Sequence, residues 1–170
     1  MKQEFINKIT TSYSPKGEYI QLGSGILNGE VVTDAKVNLA LKMMNRHGLI
    51  AGATGTGKTR TLQLMAEQLS DKGVPVFMLD VKGDLSGLAE PGKTNDALIE
   101  RGNAVGIPFE PSNFPIEIFS LTGKLGASMR LTVEDFGPVM LARILDLNDT
   151  QSGVLSVIFK YAQDNNMPIV

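Results

Sequence analysis

The stretch Gly52-Ala53-Thr54-Gly55-Thr56-Gly57-Lys58-Thr59 decides the fold of this chain. It matches G-x-x-x-x-G-K-[ST], the pattern of a phosphate-binding loop. Glycine adopts backbone angles that a Cβ forbids, so successive N–H groups can turn inward around an anion. The helix that follows such a loop points the positive end of its dipole at the same anion. We therefore predict that this stretch binds the phosphates of a nucleotide.

The residues on both sides of the loop agree with that prediction. Leu49-Ile50-Ala51 is a short apolar run, as expected for a buried parallel strand. After the loop, apolar residues recur at helical spacing, at Leu62, Met65, Ala66 and Leu69. Strand, loop and helix thus follow one another in the required order. We predict an α/β domain with a mainly parallel sheet, the loop strand at its centre and helices on its faces.

Two residues at the end of the loop have the chemistry of nucleotide binding. Lys58 supplies a mobile positive charge for the β- and γ-phosphates, and the Thr59 hydroxyl is an oxygen ligand suited to Mg²⁺. We therefore predict ATP and Mg²⁺ as the cofactors. The residues predicted to contact the nucleotide are Gly52, Ala53, Thr54, Gly55, Thr56, Gly57, Lys58, Thr59 and Arg60.

A second apolar run, Val74 to Leu79, predicts another strand, and Asp80 stands at its carboxyl end. Ligands of open α/β sheets bind at that edge. We therefore predict Lys58 and Asp80 as catalytic residues, and Thr59 and Asp80 as metal ligands. Asp84 lies near the same edge. A turn with solvated charges at the end of a strand would give the same sequence pattern.

Composition narrows the class of protein. The 170 residues carry a net charge of −2 with a pI of about 5.4, which does not suggest a general nucleic-acid coat. There is no cysteine and a single histidine, so thiolate and multi-histidine metal sites are excluded. No apolar run approaches the roughly 18 residues of a membrane helix, and the first residues lack an apolar signal core. We expect a cytoplasmic protein without a membrane partner.

The chain before the loop looks β-rich, so we predict two domains, a β-rich segment over 1–46 and the nucleotide-binding core over 47–170. Residues 1–17 are interpreted as a polar lead. A strand over 18–22 is expected to break at Gly23-Ser24-Gly25, and Asn28-Gly29 predicts a hairpin turn. Alternating residues from Val37 to Met44 indicate a half-buried strand.

Local signals also divide the chain after Asp84. We predict a helix over 95–105, a strand over 116–121 and a flexible turn over 122–126. Thr132 with Asp135 is a helix-start pattern, with Pro138 delaying the regular helix. Asn148-Asp149 begins a last helix that runs to Asp164.

ATP hydrolysis by such proteins needs a further acidic group that positions water. No apolar run of this sequence ends in Asp-Glu: Val81 follows Asp80, and Glu134-Asp135 has the reverse order. Either Asp80 holds the metal-bound water alone, or a second acidic strand lies beyond Val170. We favour the second and expect the front part of a longer protein. We expect this chain to bind nucleotide and to hydrolyse ATP slowly or not at all.

Two stretches carry a resemblance to a known family. Residues 45–59 and Leu79-Asp80-Val81-Lys82-Gly83-Asp84-Leu85-Ser86-Gly87-Leu88 resemble the HerA-like ATPases of the HerA/FtsK superfamily, specifically the bacterial HerA-like C-terminal domain family. Similarity extends over residues 130–151 and covers most of the chain. It implies a RecA-like P-loop NTPase core, ring-shaped hexamers and translocation or helicase work on DNA. It also implies an Asp-Glu strand and a trans-acting arginine, neither of which we assign here.

Two other functions fit the same residues. A small-molecule kinase would use Asp80 or Asp84 to bind or deprotonate an acceptor hydroxyl, but the clustered arginines of a closing lid are missing from the sequence. A non-hydrolysing nucleotide-binding module that supports oligomerisation would need only the loop.

Overall fold

The computed structural model describes residues 1–169 and divides the chain into two compact units, Met1–Ile116 and Glu117–Val170. Within the described residues there are five α-helices and two small two-stranded sheets, so the chain is of mixed α and β structure. This division falls far from the boundary that we predict between residues 46 and 47, which remains a prediction about the limits of the nucleotide-binding core.

An antiparallel hairpin forms the centre of the first unit. Strands β1 (Tyr19–Leu27) and β2 (Glu30–Ala40) are joined at Asn28-Gly29, where both φ angles are positive, at 52° and 85°. Such angles suit a tight hairpin turn, which confirms the predicted turn. The expected break at Gly23-Ser24-Gly25 is wrong, because β1 continues through these residues with irregular register. After β2 the chain turns through a 3₁₀ segment, Leu41–Met43.

The first helix, α1 (Lys2–Tyr13), replaces the polar lead that the sequence predicted. It packs on the hairpin, chiefly on β2. Its apolar residues Phe5, Ile6 and Ile9 are half-buried. The Phe5 ring lies so close to Gly25 that a Cβ on this glycine would come within 2.8 Å of it. Glycine within β1 therefore admits the aromatic ring and does not end the strand.

Two further helices complete the first unit, as predicted. Helix α2 (Lys58–Asp71) follows the glycine-rich loop and stops before Gly73, whose φ is 71°. Helix α3 (Asp96–Val105) begins at Asn95, whose side chain accepts a hydrogen bond from the N–H of Leu98 at 2.8 Å. Between them lies a 3₁₀ segment, Ser86–Ala89.

Polar side chains join the hairpin to α2 and α3. The side-chain amide of Gln68 on α2 accepts from the Gln21 N–H and donates to the Gln21 carbonyl, both at 2.8 Å, as a neighbouring strand would. The Ser24 hydroxyl donates to the Val105 carbonyl at 2.7 Å, and the Thr33 hydroxyl donates to the preceding carbonyl of α3 at 3.0 Å. The hairpin thus contacts both the helix of the glycine-rich loop and the end of α3.

The two strands predicted beside the loop are not formed. Residues 48–53 and 74–80 are irregular backbone, and most of their apolar side chains are exposed, with Leu49 at 88%, Phe77 at 78% and Leu79 at 80%. Each run has the composition of a strand, but a strand needs a hydrogen-bonding partner and cover on its faces. The observed structure is therefore mixed α and β without the predicted parallel central sheet.

The second unit contains a short parallel pair and two helices. Strands β3 (Phe119–Ser120) and β4 (Ala127–Ser128) flank the predicted turn, so the strand expected over 116–121 shrinks to two residues. Helix α4 (Val133–Ile144) packs against α5 (Asp149–Asp164). Both begin with the predicted residues. Helix α4 consists of two pieces separated by a kink at Gly137, where φ is 67°, and its uninterrupted part begins at Pro138, as the predicted delay requires.

Candidate nucleotide-binding site

The glycine-rich loop folds into a tight turn directly before α2. Gly55 and Gly57 have φ angles of 82° and 96°, in the left-handed region that other residues rarely adopt. Gly52 is needed for a different reason, since a Cβ there would come within 2.5 Å of the Thr56 hydroxyl oxygen. Gly55 and Gly57 therefore meet a backbone requirement, whereas Gly52 leaves room for the Thr56 side chain.

The Ala53 carbonyl accepts the hydrogen bonds that close this loop. The Thr56 hydroxyl donates to it at 2.8 Å, and the Thr56 N–H reaches it at 3.4 Å. The Lys58 ammonium also donates to it, at 2.7 Å, so the lysine folds back over the loop. An ammonium has three donors, which leaves two for other acceptors. Lys58 is thus held beside the turn as a charged donor.

The first turn of α2 presents unpaired donors. The first N–H groups of any helix have no partner within the helix. Within residues 1–169, no side chain caps the helix at Gly57. The Thr59 side chain lies in the same turn and is exposed. Arg60 points along the helix instead, where its guanidinium donates to the Gln63 Oε1 at 2.9 Å. Its predicted contact with nucleotide remains a prediction.

The Asp80 carboxylate organises its own loop. Its Oδ1 accepts from the N–H groups of Gly83 and Asp84, at 2.8 and 3.1 Å, and its Oδ2 accepts from the Leu85 N–H at 2.9 Å. These backbone bonds, that of Leu85 first, lower the pKa of Asp80. Because a carboxylate has about four lone-pair positions, roughly one remains for another donor. Asp80 is thus an exposed, firmly ionised group and a weak base.

Gln63, which is not among the residues predicted from the sequence, connects the two predicted halves of the site. Its side chain is 7% exposed, and its Nε2 donates to the Asp84 carbonyl at 3.0 Å. The loop that starts at Asp80 is therefore attached to α2 one turn after Thr59. A usable signal existed, because Gln63 lies at helical spacing with Ala66 and Leu69, which are buried. A polar residue in a buried row needs a specific partner.

The oxygen ligands available here suit Mg²⁺ bound together with phosphates. Among the described residues, no group of three or more His, Cys, Asp or Glu side chains could hold a metal ion. Mg²⁺ usually keeps several waters and binds through one or two carboxylates and the phosphates of its nucleotide. The exposed Thr59 hydroxyl and the Asp80 carboxylate fit that mode.

Comparison with known proteins identifies the family. The family model described as helicase HerA-like C-terminal matches residues 26–170. This range contains the glycine-rich loop, the Asp80 loop and both helices of the second unit. The chain belongs to the helicase HerA-like C-terminal family, which confirms the resemblance found in the sequence. No curated protein and no solved structure matches. In the part of the chain that the structure describes, no helix is long and apolar enough to cross a membrane.

Proposed function

We propose that this chain binds Mg-ATP at the loop 52–59 and is the nucleotide-binding part of a HerA-like ATPase. One observation carries the proposal: the loop is already folded, with left-handed Gly55 and Gly57 and with Lys58 turned back over it. A pre-formed loop needs little ordering when a phosphate binds, so more of the interaction energy appears as affinity.

Each residue of the proposed site has a defined task. The N–H groups at the start of α2 donate to phosphate oxygens, and Lys58 adds a charge-assisted donor. The Thr59 hydroxyl ligates the cation, and Asp80 accepts from one of its waters through its remaining lone pair. The bound cation neutralises charge on the phosphates. Arg60, in this proposal, donates to Gln63 and adds positive potential at the loop.

The RecA-like core with a parallel sheet also belongs to this proposal. The apolar runs 49–51 and 74–79 would form strands of that sheet. Their exposure supports this, because Leu49 and Phe77 cost free energy in water that a covered sheet would recover. Ring assembly and work on DNA rest on the family relationship alone.

Two other functions were considered for the same residues, and the structure disfavours one of them. A kinase that uses Asp80 as its base is disfavoured, because three backbone N–H groups hold that carboxylate and lower its pKa. A non-hydrolysing nucleotide-binding module is compatible with the same loop. The absence of an Asp-Glu pair after an apolar run of this sequence favours it over a self-sufficient ATPase.

Titration calorimetry with Mg-ATP tests the proposal. Lys58→Ala should weaken binding roughly tenfold to a hundredfold, since it removes a charged hydrogen bond worth about 1.5–3 kcal/mol. The matched control is Lys93→Ala, which makes the same change of charge at an exposed position outside the loop. Wild-type protein that binds no ATP, or equal affinities for Lys58→Ala and Lys93→Ala, would contradict the proposal.

A further inference from the structure

The peptide group between Asp84 and Leu85 is held from both sides. Its carbonyl accepts from the Gln63 Nε2 at 3.0 Å, and its N–H donates to the Asp80 Oδ2 at 2.9 Å. One rigid, planar group therefore connects a side chain on α2 with the carboxylate of the neighbouring loop.

The helix end of this connection is itself fixed. Gln63 is 7% exposed, and its Oε1 accepts from Arg60 at 2.9 Å, so its amide uses both its oxygen and its nitrogen. These bonds also assign the orientation of the amide. At the other end, Leu85 is 8% exposed, which anchors the peptide in the core. A buried amide bonded at both atoms has little freedom to move.

The connection leads to the start of α2. Residues four apart lie on one helix face, so Gln63 is one turn, about 6 Å along the axis, from Thr59. The position of Asp80 relative to Thr59 therefore depends on Gln63. Asp80 is exposed, and its other two acceptor bonds are to Gly83 and Asp84 in its own loop.

We propose that Gln63 is a positioning residue that holds the Asp80 carboxylate at the distance from Thr59 required for a hydrated Mg²⁺ on the nucleotide. The inference rests on the proposed function. It assigns Gln63 no contact with nucleotide. Loss of its amide should therefore reduce the contribution of Mg²⁺ to ATP binding and leave metal-free ATP binding unchanged.

Gln68 on the same helix provides a matched control. Its amide is also bonded at both atoms, in this case to the backbone N–H and carbonyl of Gln21 on the hairpin, away from the Asp80 loop. We compare Gln63→Met with Gln68→Met, since methionine keeps the length of glutamine and removes the amide. Gln63→Glu is the second variant, which keeps the acceptor for Arg60 and loses the donor to Asp84.

ATP affinity is measured by calorimetry on the full chain, in EDTA and across a Mg²⁺ series. Gln63→Met should reduce the factor by which Mg²⁺ increases ATP affinity about fivefold, the value of one hydrogen bond, and should leave the affinity in EDTA within about twofold. Gln63→Glu should reduce the same factor about fivefold, while its negative charge beside Arg60 lowers the affinity in EDTA as well. Gln68→Met should leave both quantities within about twofold. Amide exchange of Leu85, read by NMR, should be faster in both Gln63 variants than in wild type.

The outcomes separate the two proposals. If wild-type protein binds no ATP, the proposed function and this inference both fail. If wild type binds Mg-ATP and the Gln63 variants behave like Gln68→Met, only the positioning role fails. An equal loss of affinity with and without Mg²⁺ also overturns it, because that result indicates general damage to α2. If Gln63→Met does not fold, the effect of Mg²⁺ on ATP affinity is compared between Gln63→Glu and wild type instead.

Discussion

The start of α2 differs from the starts of α3, α4 and α5. Those three helices are capped by a side chain of the preceding residue, Asn95, Thr132 or Asn148. In α4 and α5 the cap is reciprocal, because the third helical residue also bonds back to the capping residue. Helix α2 instead begins after left-handed Gly57, with no side-chain cap among residues 1–169. Three helix starts pair one of their N–H groups with a capping side chain, whereas α2, like α1, has no such cap within the described chain.

The charged residues of the first turn also differ between α2 and the three capped helices. Helices α3, α4 and α5 carry acidic residues in the first turn, where they oppose the positive end of the helix dipole. Helix α2 carries Lys58 and Arg60 there and places Glu67 and Asp71 towards its negative end. This arrangement is unfavourable for an isolated helix and favourable for an anion at its start. The charges of α3, α4 and α5 thus favour the helix, whereas those of α2 oppose it and agree with the anion binding that we propose.

Among substitutions that test the comparison of helix starts, the largest expected effect comes from changing the backbone at the start of α2. Gly57→Ala forces a Cβ into a φ of 96°, which costs about 1–2 kcal/mol and moves the loop away from its folded form. ATP affinity, measured by calorimetry, should fall about tenfold. Gly48→Ala is the control, because a Cβ there meets no atom within 4 Å and its φ is outside the left-handed region. Unchanged affinity in Gly57→Ala would show that this loop geometry is not needed for binding.

At a capped helix we expect a loss of stability without a loss of ATP affinity. Asn148→Ala removes the bond to the Gln151 N–H, at 3.0 Å, and should lower the free energy of unfolding by about 1 kcal/mol. ATP affinity should not change. Urea unfolding followed by circular dichroism measures the first quantity and calorimetry the second. Asn113→Ala, at an exposed position outside the helices, is the control. A loss of ATP affinity in Asn148→Ala would remove the distinction between the two kinds of helix start.

Signals confined to a few residues predicted the structure best. The Asn28-Gly29 turn and the helix starts at Thr132 and Asn148 were correct, because each depends on bonds between residues at most three apart. The glycine-rich loop belongs to the same group, since Gly55 and Gly57 take the angles that its pattern requires.

Features that depend on distant partners were not predicted. Gln68 reaches Gln21 across 47 positions, and Gln63 reaches Asp84 across 21, so no local pattern reveals either bond. The apolar runs after Gly48 and Gly73 do not form strands for the same reason. A strand needs a hydrogen-bonding partner elsewhere in the sheet, and the local sequence of the run does not specify one. Helix α1 was missed although Phe5, Ile6 and Ile9 have helical spacing.

The smallest expected effect lies at the other end of α2. Partial burial, together with repulsion from Asp71, raises the pKa of Glu67, while Arg60 acts in the opposite direction. A carboxyl whose pKa is higher in the folded state opposes folding once it ionises. The stability associated with its neutral form is therefore present at acidic pH and lost as pH rises through the folded pKa. Burial is the main cause of this cost, and the charge of Asp71 adds to it.

Glu67→Gln removes that charge and nearly keeps the shape of the side chain. We expect the variant to be more stable than wild type at pH 7 by about 0.5 kcal/mol, the range of partly exposed positions. The difference should shrink as pH falls below the pKa of Glu67, where both side chains are neutral. Urea unfolding from pH 4 to pH 8 measures it, with Glu100→Gln on α3, an exposed position, as the control. If Glu67→Gln is less stable at pH 7, the attraction of Arg60 outweighs burial, and the charge at this end of α2 stabilises the helix.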